Sequence, residues 1–328
     1  MRAFDYARPT DVADALALLG RPEARALGGG TNLVDLMKRG VERPALLVDV
    51  THLGLDAVEA LPDGGLRIGA GVRNSDLAAD RLVRERYPML AAALLSAASG
   101  QLRNMATVGG NLLQRTRCLS FQDPTKACNK RAPGTGCSAV AGISRDLAVL
   151  GASEACVATA PGDLAVALSA LDAVVHLQSL DGPASLPLEA FYRLPGDSPQ
   201  RDTELPPGAL VTAVEVPGLA FGAVSAYRKA RDRASYAFAL VSVAAALDIE
   251  DGVVRDVRLA LGAVAHKPWR ARLAEQVLRG APATTATFTR AATAELAAAR
   301  PLKDNGFKVP LAHRLMVSTL AELAGRSA

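Results

Sequence analysis

A two-domain chain that mixes short strands with amphipathic helices is predicted, and three observations predict it. The 328 residues are roughly twice a common domain of about 100–200, which points to two domains or two lobes around one site. Hydrophobic residues make up 50% and charged residues 21%, enough for a sizeable core and too apolar for a disordered chain. Short apolar runs and stretches of helical period succeed one another, punctuated by Gly, Pro and Asp.

Residues 11–19 read as an early amphipathic helix with Thr10 or Asp11 as N-cap. Residues 45–50 form an apolar strand expected to close a first lobe, and 66–71 follow a Pro-Asp-Gly-Gly turn as a strand. Helices are expected over 33–38, 74–83 and 88–98, with a strand leading into Thr107. A helix over 161–171, a strand over 173–178 and a turn at Asp181-Gly182-Pro183 come next. Residues 194–208 are rich in Pro, Gly and Asp and read as loop; 209–216 read as a strand ending at Pro217, with the domain boundary at 217–221. The segments 221–228 and 238–249 are apolar without a clear period, so strand and buried helix both stay open. Residues 253–261 alternate as a strand after a hairpin turn at Glu250-Asp251-Gly252. Residues 269–278 and 311–323 read as helices, and there is no internal repeat.

Composition excludes several classes of function. The longest uncharged apolar stretches, 90–100 and 234–247, are too short or too broken for a membrane span of about 18–20 residues. With 37 basic and 33 acidic residues and a net charge of +4, no nucleic acid is expected as a partner. Met1-Arg2-Ala3-Phe4-Asp5 lacks a basic start followed by an apolar core, so no export signal is expected. Aromatic residues are 4% of the chain, so a cofactor would be held by backbone groups more than by an aromatic cage.

Two glycine segments carry a binding signal. Leu27-Gly28-Gly29-Gly30-Thr31-Asn32-Leu33 places three glycines and two side-chain donors before a helix, and successive N–H groups there form an anion-binding nest. It is not a phosphate-binding P-loop, because no Gly-Lys-Ser/Thr follows, and not a Rossmann fingerprint, because the third glycine position holds Leu33. The second segment, Ala106-Thr107-Val108-Gly109-Gly110-Asn111-Leu112, again joins a hydroxyl, two glycines and an Asn. Two such loops would close on one diphosphate from two sides.

The four cysteines, Cys118, Cys128, Cys137 and Cys156, all fall within 39 residues. Four thiolates are a complete set for one metal ion or one iron–sulfur cluster. The spacing has no tight Cys-x2–4-Cys zinc knuckle, which favours something larger than a single ion. The loop is basic, with Arg115, Arg117, Lys126, Lys130 and Arg131 against Asp123, which suits an anionic cluster. Two disulfides or free thiols are the plainer alternative, disfavoured by the absence of a secretion signal and the size of the core.

The two glycine segments resemble the FAD loops of flavoprotein subunits in the xanthine dehydrogenase and molybdenum hydroxylase family, and the resemblance spans nearly the whole chain. The stretch from Gln114-Arg115-Thr116-Arg117-Cys118 through Cys128-Asn129-Lys130-Arg131 to Gly136-Cys137 narrows it. That stretch resembles the FAD subunits of bacterial periplasmic aldehyde oxidoreductases, in which this loop holds an extra [4Fe-4S] cluster. The resemblance implies an α+β fold in two parts. A two-lobed FAD-binding domain of the vanillyl-alcohol-oxidase (PCMH) type covers 1–217, with lobes of about 1–55 and 56–217 and the cysteine loop at 114–156. A CO-dehydrogenase-flavoprotein-like C-terminal α+β domain, with a three-stranded sheet and helices, covers 218–328. It also implies a heterotrimer, with a large molybdenum-cofactor subunit, a small [2Fe-2S] subunit and an external electron acceptor. Without its own signal, the chain would reach the periplasm by co-export with a signal-bearing partner, or stay cytoplasmic.

By the same resemblance, Ala26, Leu27, Gly28, Gly29, Gly30, Thr31, Asn32, Leu33, Thr107, Gly109, Gly110 and Asn111 bind FAD. Asp163 lies near its polar groups, Lys229 near the flavin ring, and Glu215 is a weaker contact. The plainer readings are an N-cap for Asp163 and a surface lysine for Lys229. Cys118, Cys128, Cys137 and Cys156 are the metal set. No catalytic residue is expected on this chain, since substrate oxidation falls to a partner. His52, His176, His266 and His313 have no partner at metal-ligand spacing and read as structural or surface groups. Rival readings are a subunit of a hydroxybenzoyl-CoA-reductase-type enzyme, a self-contained flavin oxidase, disfavoured by the few aromatics, and a zinc-clamped scaffold.

Overall fold

The structure is a computed structural model that describes residues 1–327, with side chains to residue 325. Its strands form three sheets. β1 (Asp5–Ala7), β2 (Ala24–Leu27) and β3 (Leu46–Asp49) make a parallel sheet in the order β1-β3-β2. Helix Val12–Leu19 is the crossover from β1 to β2, and the Asp11 carboxylate caps it by accepting from the Asp14 amide at 2.8 Å. Ala15, Leu16 and Leu19 fall on one face and bury against Leu46 and Val48. All four residues of β3 are buried, as expected of the middle strand of a parallel sheet.

β4 (Val58–Ala60), β5 (Leu66–Gly69), β6 (Val174–Ser179), β7 (Gly182–Pro187) and β8 (Leu210–Val216) form an antiparallel sheet in the order β4-β5-β8-β6-β7. The long excursion between β5 and β6 carries a set of short helices and all four cysteines.

β9 (Ser225–Ala230), β10 (Val241–Glu250), β11 (Val253–Gly262) and β12 (Trp269–Arg270) form a third, antiparallel sheet in the order β12-β11-β10-β9. The resemblance implies three strands; the sheet has four, the two-residue β12 adding an edge beside β11. Helices Arg272–Leu278, Thr285–Leu296 and Lys308–Ser327 follow in the chain. β10 explains why its sequence shows no period. Ala244 and Ala246 pack into the core of the FAD-binding half, whereas Val243, Ala245 and Leu247 pack into the C-terminal core. A strand buried on both faces needs no polar side, so its apolar run is continuous.

Helix Asp163–Ala170 ties the two halves together. All eight of its residues are buried. At its N-terminus the Asp163 carboxylate accepts from the Tyr227 hydroxyl at 2.5 Å and from Lys229 Nζ at 2.8 Å. At its C-terminus Arg270 donates to the carbonyls of Ser169 and Ala170 and to the Asp172 carboxylate at 2.9 Å.

Four local expectations are corrected. The helix expected over 74–83 is broken into Asn74–Ala79 and Arg81–Arg86, because Asp80 turns extended and its carboxylate caps the second piece through the Val83 amide. Residues 269–278 begin as β12, since Trp269 and Arg270 pair with Leu261 and Ala260, and only Arg272–Leu278 is helix. Thr107 is preceded by helix Gly100–Met105, capped by Ser99, rather than by a strand. Helix Thr285–Leu296, unforeseen, starts at Thr284, whose hydroxyl accepts from the Thr287 amide.

Candidate functional site

β2 ends at Leu27, and the chain passes through Gly28-Gly29-Gly30 into helix Leu33–Lys38. Gly30 has φ +71°, which favours glycine. The other two glycines are required by space. A Cβ on Gly28 would stand 2.7 Å from Thr107 Oγ1, and one on Gly29 would stand 1.8 Å from the Met105 carbonyl oxygen. The two glycine segments, far apart in sequence, are therefore in contact.

They contribute differently. Among the described residues, the amides of Gly29, Gly30, Thr31 and Asn32 donate to no protein acceptor. In the second segment the amides are already used. Gly109 N–H donates to Ala70 O at 2.8 Å, Gly110 N–H to Thr107 Oγ1 at 3.2 Å, and Asn111 N–H to Thr107 O at 2.8 Å. Thr107 is the N-cap of a short helix, Val108–Leu112. The two segments thus differ: the first leaves amides open, while those of the second are used within the protein.

A groove of about 840 Å³ opens along these segments, within the usual size range of ligand pockets. Ala26, Gly28, Gly29, Gly30, Thr31, Asn32, Leu33, Thr107, Gly109 and Gly110 line it. Leu27, Asn111, Asp163, Glu215 and Lys229 are not in its lining. Asn111 holds Gln114, a lining residue, through Oδ1 at 2.9 Å. Glu215 pairs with His176 at 3.0 Å on β8 and β6. Asp163 and Lys229 form the buried pair described above, and Pro161, two residues before Asp163, lines the groove.

Several lining residues have no local signal in the sequence. The Asn32 side chain accepts from the Arg115 amide at 2.9 Å, while its Nδ2 is buried with no protein partner. Arg115 in turn reaches Glu42 Oε1 and Asp202 Oδ2, both at 2.7 Å. Lys130, from the cysteine loop, bonds the other Asp202 oxygen. Burial alone would raise the Asp202 carboxyl, but Lys130 and then Arg115 hold it below its ordinary value. His266 also lines the groove, 3.8 Å from Asp202. Burial, with Lys130 next, pushes its imidazole down to about 4. Tyr192 anchors its hydroxyl on Leu112 O at 2.8 Å.

These features fit a dinucleotide flavin. Open amides and an orphaned amide donor await an anion or a ring edge, and the glycines leave room for close approach.

The four cysteines are all free thiols. Cys128 and Cys137 face each other in an antiparallel bridge, and Cys118 packs against the cluster of Leu36, Phe121 and Cys128. Burial pushes the Cys118 thiol up, with Cys128 and Cys137 adding to it. Burial pushes Cys156 up to about 11, against the pull of Lys130. Among the described residues no three His, Cys, Asp or Glu side chains are placed to hold a single metal ion. The thiols are near enough to influence one another's protonation, but they do not converge as a ligand group.

A groove lined by a glycine loop with open amides, set beside a three-sheet α+β frame, defines an FAD-binding chain. The family model described as the FAD binding domain in molybdopterin dehydrogenase matches residues 2–219, and that of the CO dehydrogenase flavoprotein C-terminal domain matches 225–323. The chain belongs to this family of FAD-binding molybdopterin dehydrogenase subunits. It is 52% identical to the aldehyde oxidoreductase FAD-binding subunit PaoB of Escherichia coli K12, over 98% of each chain. It is 28% identical to the glyceraldehyde dehydrogenase medium chain of Sulfolobus acidocaldarius, over 84% of this chain and 81% of that one. In fold it matches carbon monoxide dehydrogenase from Hydrogenophaga pseudoflava with a TM-score of 0.78 and 24% identity, over 100% of this chain and 99% of that one.

Proposed function

We propose that this chain is the FAD- and [4Fe-4S]-carrying electron-transfer subunit of a heterotrimeric, molybdenum-dependent aldehyde oxidoreductase. The observation that carries the proposal is the 52% identity, end to end, to an aldehyde oxidoreductase FAD-binding subunit. Aldehyde oxidation then belongs to a large molybdenum-cofactor partner, and a small [2Fe-2S] partner delivers electrons to this chain. When bound, FAD supplies the junction between single-electron and two-electron transfer, ahead of an external acceptor.

The protein's own residues do the holding. The amides of Gly29 to Asn32 and the free Asn32 Nδ2 grip the diphosphate. Gly28 and Gly29 keep the floor low by seating directly on Thr107 and Met105. Asp163 and Lys229 form a buried ion pair outside the lining, so their part would be to fix the segment that carries Pro161 rather than to touch the cofactor. Cys118, Cys128, Cys137 and Cys156 hold the cluster. Its support is the soft donor set, the shared region, and the basic residues Lys130 and Arg131 beside it.

The test is the purified complex under anaerobic conditions. Aldehyde should bleach the bound flavin, and the chain should carry about four iron atoms and four sulfides with negligible zinc. A flavin that aldehyde leaves oxidised would overturn the substrate assignment. Stoichiometric zinc without iron would overturn the cluster.

A further inference from the structure

Glu42 and Asp202 both line the groove. Two carboxylates in a site for an anionic dinucleotide are repulsive unless neutralised. Arg201 also lines the groove, but it pairs with Glu204 at 2.8 Å. Arg115 is shared between the two, at 2.7 Å from each. Arg25 reaches Glu42 only at 4.0 Å and is 57% exposed. His266 faces Asp202 at 3.8 Å but is neutral at ordinary pH, its pKa held down to about 4. The second cation on Asp202, beside Arg115, is Lys130. Its side chain is 1% exposed, its Nζ donates to Pro199 O at 2.8 Å, and it bonds Asp202 Oδ1.

Lys130 does not belong to the groove. It is two residues from Cys128, inside the cysteine loop, and that loop is tied down locally. Arg131 donates to the carbonyls of Ser120 and Phe121, and the Asn129 side chain spans from Ala155 O to the Gly136 amide. The position of the lysine is thus set by the fold of the cysteine loop, while its charge is spent in the groove.

We propose that Lys130 is a positioning residue that couples the cysteine loop to dinucleotide binding by neutralising Asp202. While the loop is folded, Asp202 is balanced and the groove accepts an anion. When the loop opens, Lys130 withdraws, and Glu42 and Asp202 share Arg115 alone. The charge on Asp202 is then less fully balanced, and the diphosphate binds less tightly. The inference rests on the FAD reading of the groove.

The experiment uses the full chain, freed of flavin and titrated with FAD by fluorescence quenching. Lys130→Met keeps the buried stem and removes the charge, and it should weaken FAD binding by about tenfold or more. Asp202→Asn in the same chain should restore binding to within about threefold of the starting protein, because it removes the unbalanced carboxylate. A purely structural loss is told apart by circular dichroism, because Lys130→Met should keep the native spectrum under the conditions in which its FAD affinity falls. Asn129→Ala, which frees the loop from Ala155 and Gly136, should mimic Lys130→Met and be rescued by the same Asp202→Asn. If the unmodified chain binds no FAD, the reading of the groove fails. If it binds FAD and Lys130→Met binds equally well, or if Asp202→Asn rescues neither variant, the coupling is overturned.

Discussion

Gly29 rests against Met105 so closely that a Cβ on the glycine would lie 1.8 Å from the methionine carbonyl oxygen. That contact joins the two glycine segments into one wall and makes the first loop intolerant of any side chain. Gly29→Val should displace the loop from Met105 and strip FAD from the purified chain, read as flavin absorbance per protein. The cause is an internal clash, so Gly29→Ala should also lose most of its flavin. Full flavin occupancy in Gly29→Ala would show that the loop yields at little cost.

The Asp163–Lys229 pair is the next weak point. Both side chains are 5% exposed or less. Lys229→Met would leave Asp163 charged and buried with only the Tyr227 hydroxyl, at a cost of about 3–5 kcal/mol. A lowered urea midpoint should report this, and adding Asp163→Asn should recover most of it. A midpoint unchanged in Lys229→Met would contradict the assignment.

His266 sets a pH dependence. Its folded pKa is about 4 against an ordinary 6.5, from burial first and Lys130 second. Between those values the unfolded chain holds the extra proton, so stability rises with pH there. The contribution is complete above about 6.5 and is lost as pH falls toward 4. Denaturant midpoints across this window should flatten in His266→Gln.

Cys128 and Cys137 are paired across a bridge in which the Ser138 amide donates to Ala127 O at 3.0 Å. That is the pattern of a non-hydrogen-bonded pair, whose Cα atoms stand about 4.5 Å apart, within disulfide range. In the metal-free chain, glutathione disulfide should oxidise this pair. Two thiols lose two protons and two electrons, and two glutathione thiols form. Peptide mapping should find the 128–137 link ahead of any bond to Cys156.

How much of this was readable in the sequence follows from how local each signal is. The first glycine loop was legible because its glycines answer a steric demand at their own positions. The four cysteines stand out as a set within a short window, but among the described residues no three such side chains come together to hold a metal ion. The boundary of β10 was not, since burial on both faces erases alternation. Asp80, a single capping residue, breaks a helix that periodicity alone would have continued. The Arg115–Asp202–Lys130 network was invisible, because its members meet only after two loops fold over the groove, 72 residues separating Lys130 from Asp202.

Because helix Asp163–Ala170 is clasped at one end by Tyr227 and Lys229 and at the other by Arg270, neither half of the chain is complete alone. A fragment stopping after residue 219, where the first family model ends, would expose both termini of a wholly buried helix and leave its aspartate without a counterion. Calorimetry of the intact polypeptide should accordingly give a single cooperative melting transition, and attempts to produce the flavin half by truncation should yield aggregate.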